Sequence, residues 1–278
     1  MDLYAFPPIA AVLDLAYGLL MALSNLLEPL AGASSAALAI VLVTLLVRAA
    51  LIPVGISQAK AERTRARLAP KLAELQRKHK ANPERLQREM MALYAEEGTS
   101  PLAGCLPMLV QIPVVGVIYA LFILPVIAGH PNELLTHTLF GVPLGSSLAG
   151  SLAAGTVTPT VVAVFGAIVL LIALVGEITR RAFRPVPGAP VVPGAPIGAP
   201  SGASAGASTG AGMSPAGVAR MQGVLGLLQF ITAVVAMFVP LAAAIYLLVT
   251  VTWTLGQRLV LRRAYPAVPP QVPPALPA

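Results

Sequence analysis

Five stretches of this chain, 36–57, 101–128, 159–179, 219–238 and 239–261, run almost without charge. A helix rises about 1.5 Å per residue, so each run is long enough to cross the roughly 30 Å of hydrocarbon in a bilayer. The composition agrees: 57% of the 278 residues are hydrophobic and only 10% are charged, where soluble domains carry roughly 25% charged residues. An ordinary soluble globular protein is excluded. The fold class read from this pattern is all-α, a polytopic membrane protein with five transmembrane helices. The last two runs meet at Val239 and Pro240, which reads as a tight helical hairpin.

Basic residues orient the spans. Of the 18 Lys and Arg, Arg48 lies inside the first span, ten lie between Lys60 and Arg88, and the rest are Arg180, Arg181, Arg184, Arg220, Arg258, Arg262 and Arg263. Cytoplasmic loops of membrane proteins collect Lys and Arg, which places 58–100, 180–218 and the tail 262–278 in the cytoplasm and 129–158 outside. The formal charge of +7 then reports these anchors, and no direct nucleic-acid recognition is expected. The N-terminal segment 1–35 contains an apolar stretch, 9–30, interrupted by Asp14, Ser24, Asn25 and Glu28. Charge parity fits both an interfacial helix and a sixth span, and the four polar residues favour the interface. With no basic leader and no small-residue cleavage site, the stretch does not read as a removable signal peptide.

Segment 58–100 holds ten basic and six acidic residues. Leu68, Leu72 and Leu75, then Leu86, Met90 and Leu93, recur at helical spacing, so it reads as two amphipathic helices folded back on each other. Asn82 is the expected N-cap before Pro83, and Gly98 the expected stop. Glu74 with Lys78 and Glu84 with Arg88 have i,i+4 spacing. Arg63, Arg67, Lys71, Arg77, Lys78, Arg85 and Arg88 are the candidate contacts to partners or lipid headgroups; the alternative is a solvated stalk with a narrow apolar seam. Between Pro185 and Gly217, 15 of 33 residues are Pro or Gly, which reads as a linker with no face to bury.

Motifs for chemistry are sparse. A single cysteine, Cys105, excludes an intramolecular disulfide and any multi-cysteine metal site, and His79, His130 and His137 lack ligand-like spacing. Leu102-Ala-Gly-Cys105 has the form of a lipoprotein cleavage box but follows a charged segment instead of a signal. With no Walker A loop, HExxH or Ser/His/Asp arrangement, neither an enzyme nor a cofactor is expected. Arg48 is the exception to this blandness. A cation inside a span costs at least about 2.5 to 3.5 kcal/mol on the insertion scale. It either snorkels along the roughly 12 Å to Ile56 or faces a water-accessible cavity open to the cytoplasm. Glu177 stands at the cytoplasmic end of the third span, so no carboxylate is available at mid-membrane depth. Gln111, Gln222, Gln229, Thr250, Thr254 and Gln257 either line such a cavity or join neighbouring helices through hydrogen bonds.

These residues carry a resemblance. Val43-Thr-Leu-Leu-Val-Arg48, Leu51-Ile-Pro53, the run Gly98-Thr-Ser-Pro101-Leu-Ala-Gly-Cys-Leu-Pro107-Met-Leu-Val-Gln111-Ile-Pro113, and Pro240-Leu-Ala, Ile245-Tyr246 and Trp253-Thr-Leu-Gly-Gln257 resemble the YidC/Oxa/Alb family of membrane protein insertases. The likeness covers roughly 36–263 without the linker, and is to the bacterial short form that lacks a large periplasmic domain. It implies a five-transmembrane-helix insertase core with a cytoplasmic helical hairpin, enclosing a hydrophilic groove open to cytoplasm and lipid and closed outside. The family's groove arginine falls on Arg48, with Thr44, Gln111, Gln229, Tyr246, Thr250, Trp253 and Gln257 as groove lining. The implied role is insertion and chaperoning of nascent membrane proteins, alone or with the Sec translocon, with the ribosome as a further partner and without nucleotide or metal. The implied location is the bacterial plasma membrane, multi-pass, with a cytoplasmic C-terminus.

Some positions depart from the family pattern. Tyr246-Leu247 and Thr250-Val251 stand where a Tyr-Trp and a Ser-Asn pair are common, and Gly176-Glu-Ile-Thr179 lacks the usual glutamine. Two other readings make distinct predictions. A solute transporter would show paired intramembrane charges or internal repeats, neither of which the sequence contains. An assembly factor would need the hairpin but not Arg48.

Overall fold

The computed structural model describes residues 6–79, 82–98, 116–127, 129–183 and 230–264. Gln111, Gln222, Gln229, Cys105 and the Pro/Gly-rich stretch 185–217 lie outside the described residues. Helix α1 spans Pro7–Ala31, opening on prolines whose missing N–H would be unpaired there anyway. It buries Leu13, Leu20 and Ser24 and leaves Leu15, Leu19 and Leu26 uncovered. One side thus faces protein and the other presents apolar surface. A 3-10 turn, Gly32–Ser34, leads into α2, Ser35–Ala50. The two helices pack together, and the Ser24 and Ser35 hydroxyls lie 3.3 Å apart.

The helix expected to continue to residue 57 is interrupted at Leu51. Pro53 has no N–H to donate to the carbonyl of Ala49, so α2 stops and α3, Ile52–Lys78, starts afresh. Hydropathy runs smoothly across this break and does not reveal it. The amphipathic segment is therefore one end of a 27-residue helix rooted beside Arg48. Helix α4, Pro83–Glu96, returns alongside it. Asn82 caps α4 by accepting a hydrogen bond from the Arg85 N–H at 3.0 Å, and Gly98 ends it at φ +60°.

Leu68 and Leu72 are buried in this hairpin, which is clasped by Glu97. Arg67 Nη2 and Lys71 Nζ donate to its two carboxylate oxygens at 2.6 and 2.7 Å. The Lys71 hydrogen bond first, and then the positive charges of Arg67 and Lys71, hold the Glu97 carboxyl below its ordinary value of 4.5, against the opposing effect of desolvation. A carboxyl depressed by folding stabilises above its unfolded pKa and loses that contribution as pH falls through the folded one. Spin labels on α3 and α4 should therefore report a fixed separation from neutral pH down to about 4.5, and a widened distribution below it. Glu97→Gln should show the wide distribution at all pH values.

The described part of the second span is helical over 116–123 (α5). Two short antiparallel strand pairs follow: β1, Val126–Ile127, with β2, His130–Pro131, and β3, Thr138–Leu139, with β4, Val142–Pro143. Then come α6, Leu148–Ala153, and the long α7, Pro159–Ala182. Thr158 caps α7, accepting from the Val161 N–H at 3.3 Å. The chain resumes with α8, Ile231–Val235, and after a turn with α9, Leu241–Ala264.

Asn132, only 4% exposed, ties the loop down. Its amide donates to the carbonyls of Leu121 and Leu124 at 2.8 and 2.9 Å, stopping α5. The loop then seals the α8–α9 turn through backbone bonds: Ala149 N to Met237 O, Leu241 N to Ser146 O, and Ala242 N to Leu144 O. Helix α1 docks on the same loop, with Asp14 Oδ1 3.1 Å from His130 Nε2 and the Glu133 N–H donating to the Tyr17 hydroxyl. The main hydrophobic core gathers at this loop end, joining Leu20, Ile40, Leu134, Leu144, Phe165 and Leu241.

Candidate functional site: a polar face between α2 and α9

Packing changes along the three long helices. On α2 the buried residues end at Thr44, on α7 at Ile172 and on α9 at Ile245. Every residue further from the loop end is partly or fully uncovered. The bundle is tight at the loop end and loosens toward the end that bears Arg180, Arg181, Arg262 and Arg263. Small side chains allow the tight half, since Ala36, Ala37, Ala39, Ala242, Ala243 and Ala244 are all buried there.

Arg48 sits where the packing loosens. Ala37, Ile40 and Thr44 form one stripe of α2 at helical spacing, all buried, and Arg48 is the next position on that stripe. The uncovered face carries Leu38, Leu42 and Leu46, which is 70% exposed. Helix geometry therefore puts Arg48 on the protein-facing side, which speaks against snorkelling along lipid. Among the described residues no ion pair or hydrogen bond engages its side chain, which is partly buried.

Helix α9, which packs on α2, carries Tyr246, Thr250, Trp253 and Gln257 along one stripe, all partly buried. Tyr246 tilts against Phe122 with ring centroids 6.0 Å apart. Trp253 Nε1 donates to Gln257 Oε1 at 3.2 Å. The Gln257 amide closes on the backbone of Gly55 at the root of α3, where an added Cβ would meet Nε2 at 1.8 Å. Gly55→Val should therefore push Gln257 away, and release of its bond to Trp253 should shift the tryptophan emission. The Thr250 hydroxyl is buried without a hydrogen-bond partner, a state shared among the described residues only by Asn132 Oδ1. An unsatisfied buried hydroxyl normally costs about 1 to 3 kcal/mol, so a polar guest at Thr250 would be stabilised.

The expected lining is thus only partly assembled from described residues. Arg48, Tyr246, Thr250, Trp253 and Gln257 fall at the loosened half. Thr44 lies at its floor, and its hydroxyl is spent on the Ile40 carbonyl at 2.7 Å. Gln111 and Gln229 lie outside the described residues. In the hairpin, Arg67 and Lys71 form the clasp on Glu97 while their side chains stay 58% and 57% exposed. Arg88 pairs with Glu84 at 3.6 Å and Arg85 with Glu89 at 3.9 Å. The Glu74–Lys78 pair does not form, and Arg77 and Lys78 stay exposed; the side chain of Arg63 is outside the described residues. Sequence reasoning missed Gly55, whose partner is some 200 residues away, and Asn132, which no local pattern marks.

These features define a helical membrane protein whose apolar helices, three of them long enough to cross a bilayer among the described residues, close at one end around a sealed loop. The sequence profile of the family described as 60Kd inner membrane protein matches residues 26–268. The chain belongs to this family, the YidC/Oxa/Alb family. It is 45% identical over 83 residues to a "Membrane protein insertase YidC" of Clostridium perfringens, a match covering 30% of this chain and 35% of the relative. It is 39% identical over 114 residues to the protein of that name from Oceanobacillus iheyensis, covering 39% and 42%. It is 36% identical over 118 residues to "Membrane protein insertase YidC 2" of Bacillus anthracis, covering 41% and 44%. Each match spans less than half of the relative's length.

Proposed function

We propose that this chain is a membrane protein insertase and chaperone that moves nascent integral membrane proteins from the cytoplasm into the bilayer. The observation that carries the reading is Arg48: a cation on the protein-facing stripe of an otherwise uncharged helix, without a carboxylate partner among the described residues, where the bundle stops being tightly packed. The names of the relatives, membrane protein insertases, support it. In this reading the hairpin, the basic ends of α7 and α9 and the C-terminus face the cytoplasm, and the sealed loop faces outside a bacterial plasma membrane. The family resemblance assigns Gln111 and Gln229 to the groove as well, and both lie outside the described residues.

The mechanism follows from two unequal costs. An apolar substrate helix gains about 25 cal/mol per Å² on leaving water, so its entry into lipid is downhill. The polar segment that must cross first is uphill, because its groups lose water without new partners. A half-open polar groove lowers that barrier. Arg48 attracts an acidic leading segment, while the Thr250 hydroxyl and the Gln257 amide offer hydrogen bonds. The tight alanine-rich half keeps the membrane sealed, so the segment enters from one side only. The hairpin and its exposed Arg77 and Lys78 then face the ribosome or the Sec translocon.

A photo-reactive amino acid at position 250, in a Cys105→Ser background with a thiol-tagged nascent chain, tests the groove. It should capture a single-spanning chain with an acidic leading segment, whereas the same probe at Phe165, which is wholly buried, should not. Equal capture at both positions would refute a groove that opens beside Thr250.

A further inference from the structure

The basic end of the bundle holds a second constellation, independent of the groove. Arg180, Arg181, Arg258, Arg262 and Arg263 gather at the ends of α7 and α9, with Glu177 as the single carboxylate on those turns. Glu177 is consumed locally: Arg180 binds it through Nε and Nη2, both at 2.7 Å, and Arg181 through Nε at 2.6 Å. Phe183 knits the two helices together. The guanidinium carbons of Arg258 and Arg262 lie 5.8 and 5.7 Å from its ring centroid, within cation–π range. Arg262 Nη1 also donates to the Ala182 carbonyl at 2.6 Å, closing the negative end of α7. Arg180, Arg181, Arg258 and Arg262 are thus held in place, with Arg263 beside them.

Below them runs apolar surface. On α7, Leu174 and Ile178 are 52% and 42% exposed, and the next position on that stripe is the exposed Arg181. On α9, Leu259 and Val260 are 40% and 65% exposed, and the stripe ends at the exposed Arg263. Each strip of hydrocarbon-facing surface therefore ends, one turn on, in a guanidinium. An amphiphile with an anionic head over acyl chains matches this arrangement, and a soluble anion would use only its upper half.

We infer that the paired ends of α7 and α9 form a binding site for an anionic phospholipid, its phosphate held by Arg181, Arg262 and Arg263 and its chains laid along Ile178 and Val260. A guanidinium offers forked donors to phosphate oxygens, which a zwitterionic head partly cancels with its own cation. The site would fasten the open end of the bundle to the membrane surface at a defined depth.

Trp253 is the chain's single tryptophan and gives the test. It lies nine residues before Arg262, about 13 Å along the helix, level with the mid-chain of a lipid whose phosphate sits at the cluster. The full-length protein is reconstituted in phosphatidylcholine with a fixed fraction of phosphatidylglycerol, with mid-chain bromines on one lipid or the other, and quenching of Trp253 is compared. Near an anionic surface each arginine is worth about fivefold in binding, so brominated phosphatidylglycerol should win by at least that factor at equal mole fraction. Arg262→Gln/Arg263→Gln should bring the ratio close to one. Arg263→Gln alone, whose side chain bonds to no described residue, should lower it without disturbing the fold. Millimolar glycerol phosphate should leave it unchanged. Absence of a preference in the wild type, a preference that survives the double substitution, or displacement by glycerol phosphate would each overturn the lipid site.

Discussion

Replacing Arg48 by alanine is expected to reduce insertion of substrates with acidic leading segments by at least about tenfold, with little effect on substrates whose leading segment is short and uncharged. Two unit charges 4 Å apart at an effective dielectric of about 20 attract by about 4 kcal/mol. If a third of that is realised in the rate-limiting step, the barrier rises by about 1.4 kcal/mol when the charge is lost, which is the stated factor of ten. Arg48→Lys should retain much of the activity, because it keeps the charge while losing the planar fork. Arg48→Glu should be worse than alanine for acidic segments and should accept basic ones better. Insertion rates measured across this series, with leading segments of net charge negative, zero and positive, check the account. A uniform loss across all segments would assign Arg48 to folding and not to attraction.

Asn132→Ala is expected to be the most destabilising single substitution in the loop. The buried amide feeds two carbonyls at the end of α5, and its removal leaves both without donors at a cost of about 2 to 3 kcal/mol. Asn132→Asp should be no better, since a carboxylate would face the same two carbonyl oxygens. Thermal unfolding in detergent reads this directly, and the loss should also appear as faster proteolysis of the loop. The prediction reaches beyond the loop itself. The same segment holds the α8–α9 turn through Leu144 and Ser146 and holds α1 through His130 and Glu133. Loosening it should open the sealed end of the bundle. An unchanged melting temperature for Asn132→Ala would mean that the seal rests on apolar packing around Leu134 and Leu144 alone.

What could be read in the chain was what is local. Asn82 before Pro83 and Gly98 after α4 mark helix ends because capping acts within a single turn. The two spans that stand as the long helices α7 and α9 were legible because hydrocarbon demands about 20 apolar residues in a row. Arg48 was legible because a charge there has a cost that nothing nearby repays. The Leu51 break was within reach, since Pro53 removes a donor, but hydropathy averages over it. The clasp at Glu97 was out of reach: its partners lie 26 and 30 residues upstream, and the charges around them offer several equally good pairings. Contacts such as Gln257 with Gly55, Asp14 with His130, and Arg262 with Ala182 join segments 80 to 202 residues apart. They leave no periodic trace. Their geometry comes from how the helices stack, which a single sequence does not state.

The central claim is that the chain itself moves a polar segment across a bilayer by means of the Arg48 charge. Purified protein in liposomes, presented with a single-spanning substrate whose leading segment is acidic, tests it with no other component present. The protected, translocated fraction is read after external protease. The account predicts clear protection with the wild type, the protein-free background with Arg48→Ala, and an intermediate level with Arg48→Lys. Protection by the wild type no greater than in protein-free liposomes would contradict insertion by this chain alone, and equal protection by the wild type and Arg48→Ala would contradict the role given to the charge.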